Sequence, residues 1–266
     1  MKNKIHELYA LEQLACGSTA IHRLHPLAKL LATTAFIVTV VSFDRYAPGR
    51  LIPYIFYPMI LMALSETPYA MLFRRFLIAL PFCLFAGISN VLFDRAAAFA
   101  IGGIPVSYGV ISLATILLRT YLCVMAVLLL VSVTPLSHLT GAMRRLRTPG
   151  IFIIMFEMTY RYIGVLLNEA YSMNVAYSLR SSGGRGIEMR DMGVFAGQLL
   201  IRSFDRADRV YNAMKCRGYA LQTMTKNPQK LSPGDIGFFA AVFLLCVTFR
   251  VVDINALLAG ILERLL

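Results

Sequence analysis

The chain has 266 residues, 58% of them hydrophobic and only 15% charged, with a mean hydropathy of +0.67. Soluble domains carry about 45–50% apolar and about 25% charged residues, so this composition excludes an ordinary soluble globule and points to a polytopic membrane protein. A net charge of +12 would suggest nucleic acid in a soluble chain; here the Lys and Arg excess of cytoplasmic membrane loops is the simpler source, and no nucleic-acid partner is expected.

The N-terminal segment carries Glu7, Glu12 and several histidines and lacks an apolar core, so it is not read as a signal peptide. A membrane-crossing helix needs about 20 mostly apolar residues. The spans expected are 27–43, with Lys29 snorkelling at its start, then 51–64, short and carrying Pro53 and Pro58, then 76–93, 106–133 and 236–252. Arg74 and Arg75 are placed in the loop between the second and third. The tail 254–266 either prolongs the last helix or lies on the membrane surface.

Between the fourth and fifth spans the texture changes. Residues 134–234 hold fourteen Lys/Arg against six Asp/Glu, which places this interval and the N-terminus on the cytoplasmic side. Thr134-Pro135 and Thr148-Pro149 each offer an N-cap before a proline, and Ser232-Pro233-Gly234-Asp235 does the same ahead of the last span. A long helix is expected over 149–180, ended by Ser181-Ser182-Gly183-Gly184, and a second over 191–215, stopped by Gly218. The fold class is therefore an all-α polytopic membrane protein with about five transmembrane helices. Its parts are an N-terminal segment with four spans (1–133), a cytoplasmic helical domain (134–234), and the last span with its tail (235–266).

Both long helices finish on an arginine, in Leu179-Arg180-Ser181 and in Cys216-Arg217-Gly218. A cation in the last turn complements the helix dipole by about 0.3–1 kcal/mol, and that explanation alone is sufficient for either one. The alternative is a pair of prongs docking into grooves of a partner, where a planar guanidinium outperforms lysine. Arg119 falls inside the fourth span and is given a structural role, facing the bundle interior. Glu157 and Arg161 are spaced i,i+4 in the order that supports a structural helical pair. Cys16, Cys83, Cys123, Cys216 and Cys246 are scattered with no CxxC, and His22 and His25 lack further ligands at motif distance, so neither a disulfide framework nor a metal site is expected. A P-loop, a GxSxG and an HExxH are all absent from the sequence, and no catalytic residues or bound cofactor are expected on the chain.

Several stretches carry a family resemblance: "HPLAKLLA" at the first span, "VTPLSHLTGAMRRLRTP" and "EMTYRYIGVLLNEAYSMNVAYSLRS" in the interval, and above all "AMKCRGYA". With these the chain resembles the T component, the CbiQ/EcfT-type transmembrane subunit, of energy-coupling factor transporters. The resemblance implies X-Arg-X coupling motifs at Leu179, Arg180, Ser181 and at Cys216, Arg217, Gly218, docking into two ABC ATPase subunits that hold ATP and magnesium. The second motif keeps the family's Arg-Gly; the first keeps only Arg. It also implies a separate substrate-binding membrane component, such as a CbiM-type protein, and residence in the cell membrane of a prokaryote. The ending looks more like the cobalt type, linked to cobalamin biosynthesis; nickel, biotin and other vitamins are the alternatives. An ordinary ABC permease would couple through a short EAA-Gly loop, which is not found, and a polytopic membrane enzyme would need convergent acidic or histidine residues.

Overall fold

The computed structural model describes residues 17, 19–94, 97–101, 104–146, 148–180, 187–219 and 232–251. Ser181 and the tail 254–266 lie outside the described residues. The chain divides into two contact units: among the described residues, 140–219 form one, and 17–139 with 232–251 form the other.

The larger unit opens with a single helical turn, Ala20–Arg23, and then α1, Pro26–Val41. Pro26 suits the first helical position, and the His25 imidazole caps the end by accepting the Leu27 N–H at 3.1 Å. Its 16 residues span about 24 Å, less than the roughly 30 Å of a bilayer core. The expected span 51–64 is not one helix. A 3-10 helix, Pro48–Ile55, runs into α2, Phe56–Ser65. Pro53 sits inside the 3-10 segment, and a ring without an N–H is a reason for the regular α pattern to start only beyond it.

α3, Tyr69–Phe93, begins seven residues before the expected start at 76. Arg74 and Arg75 are thus helical rather than in a loop: arginine is a good helix former, and its long stem carries the charge away from the apolar face. An antiparallel hairpin, β1 (Ala97–Ile101) and β2 (Ile104–Ser107), follows and takes the first residues that had been expected in the fourth span. α4, Tyr108–Val133, then packs tightly on α3. A Cβ on Gly109 would lie 2.6 Å from the Val91 Cα, so only glycine permits this approach. Asn90 Nδ2 donates to Ser112 Oγ across the same seam at 2.9 Å.

α5 (Leu136–Arg145) passes from one unit into the other; α6 (Gly150–Arg180) and α7 (Met192–Cys216) follow, and α8 (Pro233–Val251) returns to the bundle. Thr134 does not cap α5 as expected. Its Oγ1 is buried without a hydrogen-bond partner among the described residues, and the Pro135 carbonyl instead accepts the His138 and Leu139 amides at 2.9 and 3.1 Å. At α8 the expectation holds: the Ser232 N–H donates to Asp235 Oδ2 at 2.7 Å.

The bundle core is built from Phe36, Val40, Leu51, Tyr54, Leu122, Met125 and Leu129, all fully or almost fully buried. Phe36 stacks on Tyr57 at 4.2 Å, and the Tyr54 hydroxyl donates to the Cys246 carbonyl at 3.0 Å. α8 runs parallel to α1 and answers both of its ends. Asp235 accepts the His25 N–H at the amino end at 2.7 Å, and at the carboxyl end Arg250 donates to Ser42 Oγ at 3.3 Å and stacks over the Phe43 ring at 4.4 Å. An acid at the positive pole and a cation at the negative pole both suit the helix dipole.

Four helices among the described residues are long and apolar enough to cross a membrane: α3, α4, α6 and α8. The chain is an all-α polytopic membrane protein with one short hairpin. α6 qualifies by length and composition although it belongs to the smaller unit, a consequence of the apolar run at Ile151–Phe156.

Candidate functional site

The smaller unit is organised around α6 and α7, which touch while running in opposite directions. Glu169 in α6 accepts from Arg202 and, at 3.5 Å, from Arg206, one turn apart on α7. Two turns further along α6, the Tyr177 hydroxyl donates to Asp191 Oδ2 at 2.7 Å, just ahead of α7. Nothing in the sequence placed residues 202 and 206 opposite Glu169.

This unit holds little of its own core. Within α6 only Ile153 and Ala170 are buried, and within α7 no described residue is. Phe152, Met155, Val194, Leu200, Phe204 and Tyr211 are exposed. Extended exposed apolar surface of this kind marks an interaction surface.

Each expected motif falls at a helix end. Leu179, 82% exposed, and Arg180 close α6; Ser181 lies outside the described residues. Arg180 stands on the wall of a groove of about 530 Å³, lined also by Met173, Tyr177, Asp191, Phe195 and Arg202. Cys216 closes α7, Arg217 is its C-cap, and Gly218 takes φ +64°. The Gly218 N–H donates to the Lys215 carbonyl and the Tyr219 N–H to the Met214 carbonyl, each at 3.0 Å. These two bonds form a Schellman cap, which satisfies the last free carbonyls and turns the chain away beneath Arg217. Burial and then the Glu157 carboxylate push the Tyr219 phenol up, while Arg144 opposes them. Neither the Arg180 nor the Arg217 guanidinium forms a hydrogen bond or ion pair among the described residues, and both residues are exposed.

The arginines do not sit side by side. Arg180 lies near the start of α7, by Asp191, and Arg217 lies at its end. With 25 residues in that helix, the two are about 37 Å apart.

Arg119 joins α4 to the end of α1. Its Nη2 donates at 2.5 Å to the Phe43 carbonyl, just past that end, while its Nε is buried without a partner among the described residues. Glu157 and Arg161 form no ion pair with each other, whereas Glu169 pairs with Arg202 and Arg206. His22 and His25 are engaged locally, His22 Nδ1 with Thr19 Oγ1 at 2.6 Å and His25 as the α1 cap. Lys29 does not snorkel. It is 5% exposed, and its Nζ donates to the His22 and Val133 carbonyls at 3.3 and 3.2 Å. Val133 ends α4, so its carbonyl lacks an intrahelical partner and draws the ammonium inward.

A family model described as CbiQ, cobalt transport protein, matches residues 17–227. The chain is 26% identical over 247 residues to the energy-coupling factor transporter transmembrane protein EcfT of Thermosediminibacter oceani, covering 87% of this chain and 92% of that one. It is 28% identical over 204 residues to an uncharacterized protein of Methanocaldococcus jannaschii, covering 71% and 68%. A shorter match of 91 residues, 31% identical, joins it to the cobalt transport protein CbiQ of Rhodobacter capsulatus, covering 34% and 37%.

Proposed function

This chain belongs to the CbiQ family of cobalt transport proteins, and on that premise we propose that it is the transmembrane coupling subunit of an energy-coupling factor ABC importer. It carries no catalysis of its own. Two ABC ATPase subunits bind and hydrolyse ATP with magnesium, a separate membrane component of CbiM type binds the substrate, and cobalt ion is the cargo; nickel, biotin and other vitamins are the alternative cargoes. The N-terminus and the unit carrying α6 and α7 face the cytoplasm, as the basic excess of 134–234 supports.

The observation that carries this reading is the placement of Arg180 and Arg217. Two exposed guanidinium groups, unpaired among the described residues, stand about 37 Å apart at opposite ends of an antiparallel pair whose apolar surface lies open. That separation suits two partners, one for each arginine. A guanidinium offers bidentate hydrogen bonds to a carboxylate or to the free carbonyls of a helix end, which fixes orientation as well as contact. ATP-driven closure of the two ATPases brings their grooves together. The arginines follow, the angle between α6 and α7 changes, and the bundle tilts the substrate component.

The experiment is purification of the tagged chain from its native membrane. Two ATPase subunits and a small membrane protein are expected to accompany it, and Arg180→Ala/Arg217→Ala together release the ATPases while the chain stays in the membrane. A chain that purifies alone and acts on a lipid sinks the proposal, as does normal transport by the double variant.

A further inference from the structure

At the end of the bundle where α1 and α8 begin, two connections lead toward the smaller unit: one follows Val133, and the other arrives at Ser232. Both are fastened to the start of α1. Lys29 of α1 donates to the carbonyl of Val133, and Asp235, 4% exposed, accepts the His25 and Ser232 amides at 2.7 Å each. Packing alone does not call for these groups, because a methionine fills the same length and a buried charge is costly unless its donors are used. What the ammonium adds is a fixed direction toward chosen carbonyls.

Directly past the fastened Val133 stands Thr134, with its hydroxyl buried and unpaired among the described residues. Such a group is a standing cost in this arrangement. A rotation of the segment beyond Val133 that lets the hydroxyl reach an amide in the first turn of α5 removes it.

We propose that Lys29 and Asp235 are positioning residues that pin both connections to α1, and that Thr134 is the pivot just outside the pin. Movement of the smaller unit then reaches the bundle as displacement of α1, not as slack in the connections. The consequence for transport rests on the coupling reading above; the pinning itself does not.

The test uses the full chain, alone and in its ATPase-containing complex in nanodiscs, with Lys29→Met, Lys29→Arg and Asp235→Asn. In the chain alone, amide exchange is expected to rise severalfold over 134–139 in Lys29→Met and at His25 and Ser232 in Asp235→Asn, with Lys29→Arg close to wild type. Unchanged exchange overturns the pinning. In the complex, both loss variants retain the ATPases and hydrolyse ATP, yet ATP consumed per substrate imported rises at least about fivefold, and Lys29→Arg restores the ratio. A parallel fall of hydrolysis and transport at constant ratio is what a merely structural role produces, and it overturns the positioning role. Should Lys29→Met not accumulate, Asp235→Asn carries both measurements. If the wild-type chain retains no ATPase, the coupling reading fails, and exchange still decides the pin.

Discussion

Replacing Gly218 by alanine isolates what the α7 cap contributes. The residue holds φ +64°, and a Cβ there meets nothing within 4 Å, so crowding adds no cost. What remains is the backbone term: a left-handed conformation costs an L-residue about 1–2 kcal/mol, whereas glycine adopts it freely. The two cap bonds, from Gly218 to Lys215 and from Tyr219 to Met214, form only in that conformation. In Gly218→Ala the cap therefore opens about 5–30 times more often. Hydrogen–deuterium exchange of the 213–219 peptide in detergent reads this directly, and Gly218→Asn, which tolerates the left-handed region better, is expected to fall between. Exchange in the middle of α7 stays unchanged. Wild-type exchange at 213–219 in the alanine variant would refute the argument, and so would uniform acceleration along the helix. On the proposed function, loss of the cap also lets Arg217 wander, so ATPase retention falls although the guanidinium is still present.

Arg217→Ala is expected to weaken ATPase retention and transport more than Arg180→Ala does, because Arg217 is aimed by a rigid cap; equal effects in a pull-down and uptake assay contradict this. Thr134→Val replaces an unpaired buried hydroxyl by a methyl of similar shape and should stabilise the described state by about 1–3 kcal/mol. A melting temperature a few degrees higher in detergent checks it, and a lower one shows that the hydroxyl is paired. Glu169→Gln releases Arg202 and Arg206 together, but the side chains are 23%, 54% and 35% exposed. Solvent screening then limits the loss to at most about 1 kcal/mol, shrinking in high salt, as a salt series of melting curves would show.

Composition and hydropathy made the membrane class legible, and turn chemistry found both long helices to within a residue or two. Gly218 as a stop followed from its residue type, as did the Ser232–Asp235 cap. The misreadings share a cause. At Lys29, snorkelling is the general rule for a lysine near a span end, and it failed because the Val133 carbonyl, 104 residues away, offers the ammonium a buried partner. At Thr134 the local pattern favoured a cap, but the residue serves as the extended C-cap of α4 and its hydroxyl reaches no amide among the described residues. At 51–64 the hydropathy window averaged over Pro53, which the backbone does not. The Arg180–Arg217 pair was visible as two similar endings, yet their placement at opposite ends follows from the direction in which α6 meets α7, and Glu169, Arg202 and Arg206 fix that only in three dimensions.

Parallel pairing of α1 with α8 also has a consequence in time. The Asp235 carboxylate and the Arg250 guanidinium serve residues 210 and 208 positions earlier in the chain. At about 5–20 residues per second, a ribosome takes roughly 10–40 s to cover that distance. Helix α1 is thus made long before Asp235 and Arg250, the α8 side chains that bind its two ends. A chain released before residue 233 keeps both ends open, and one released between 235 and 250 closes only the first. Closure of α1 at both ends therefore waits on the synthesis of α8.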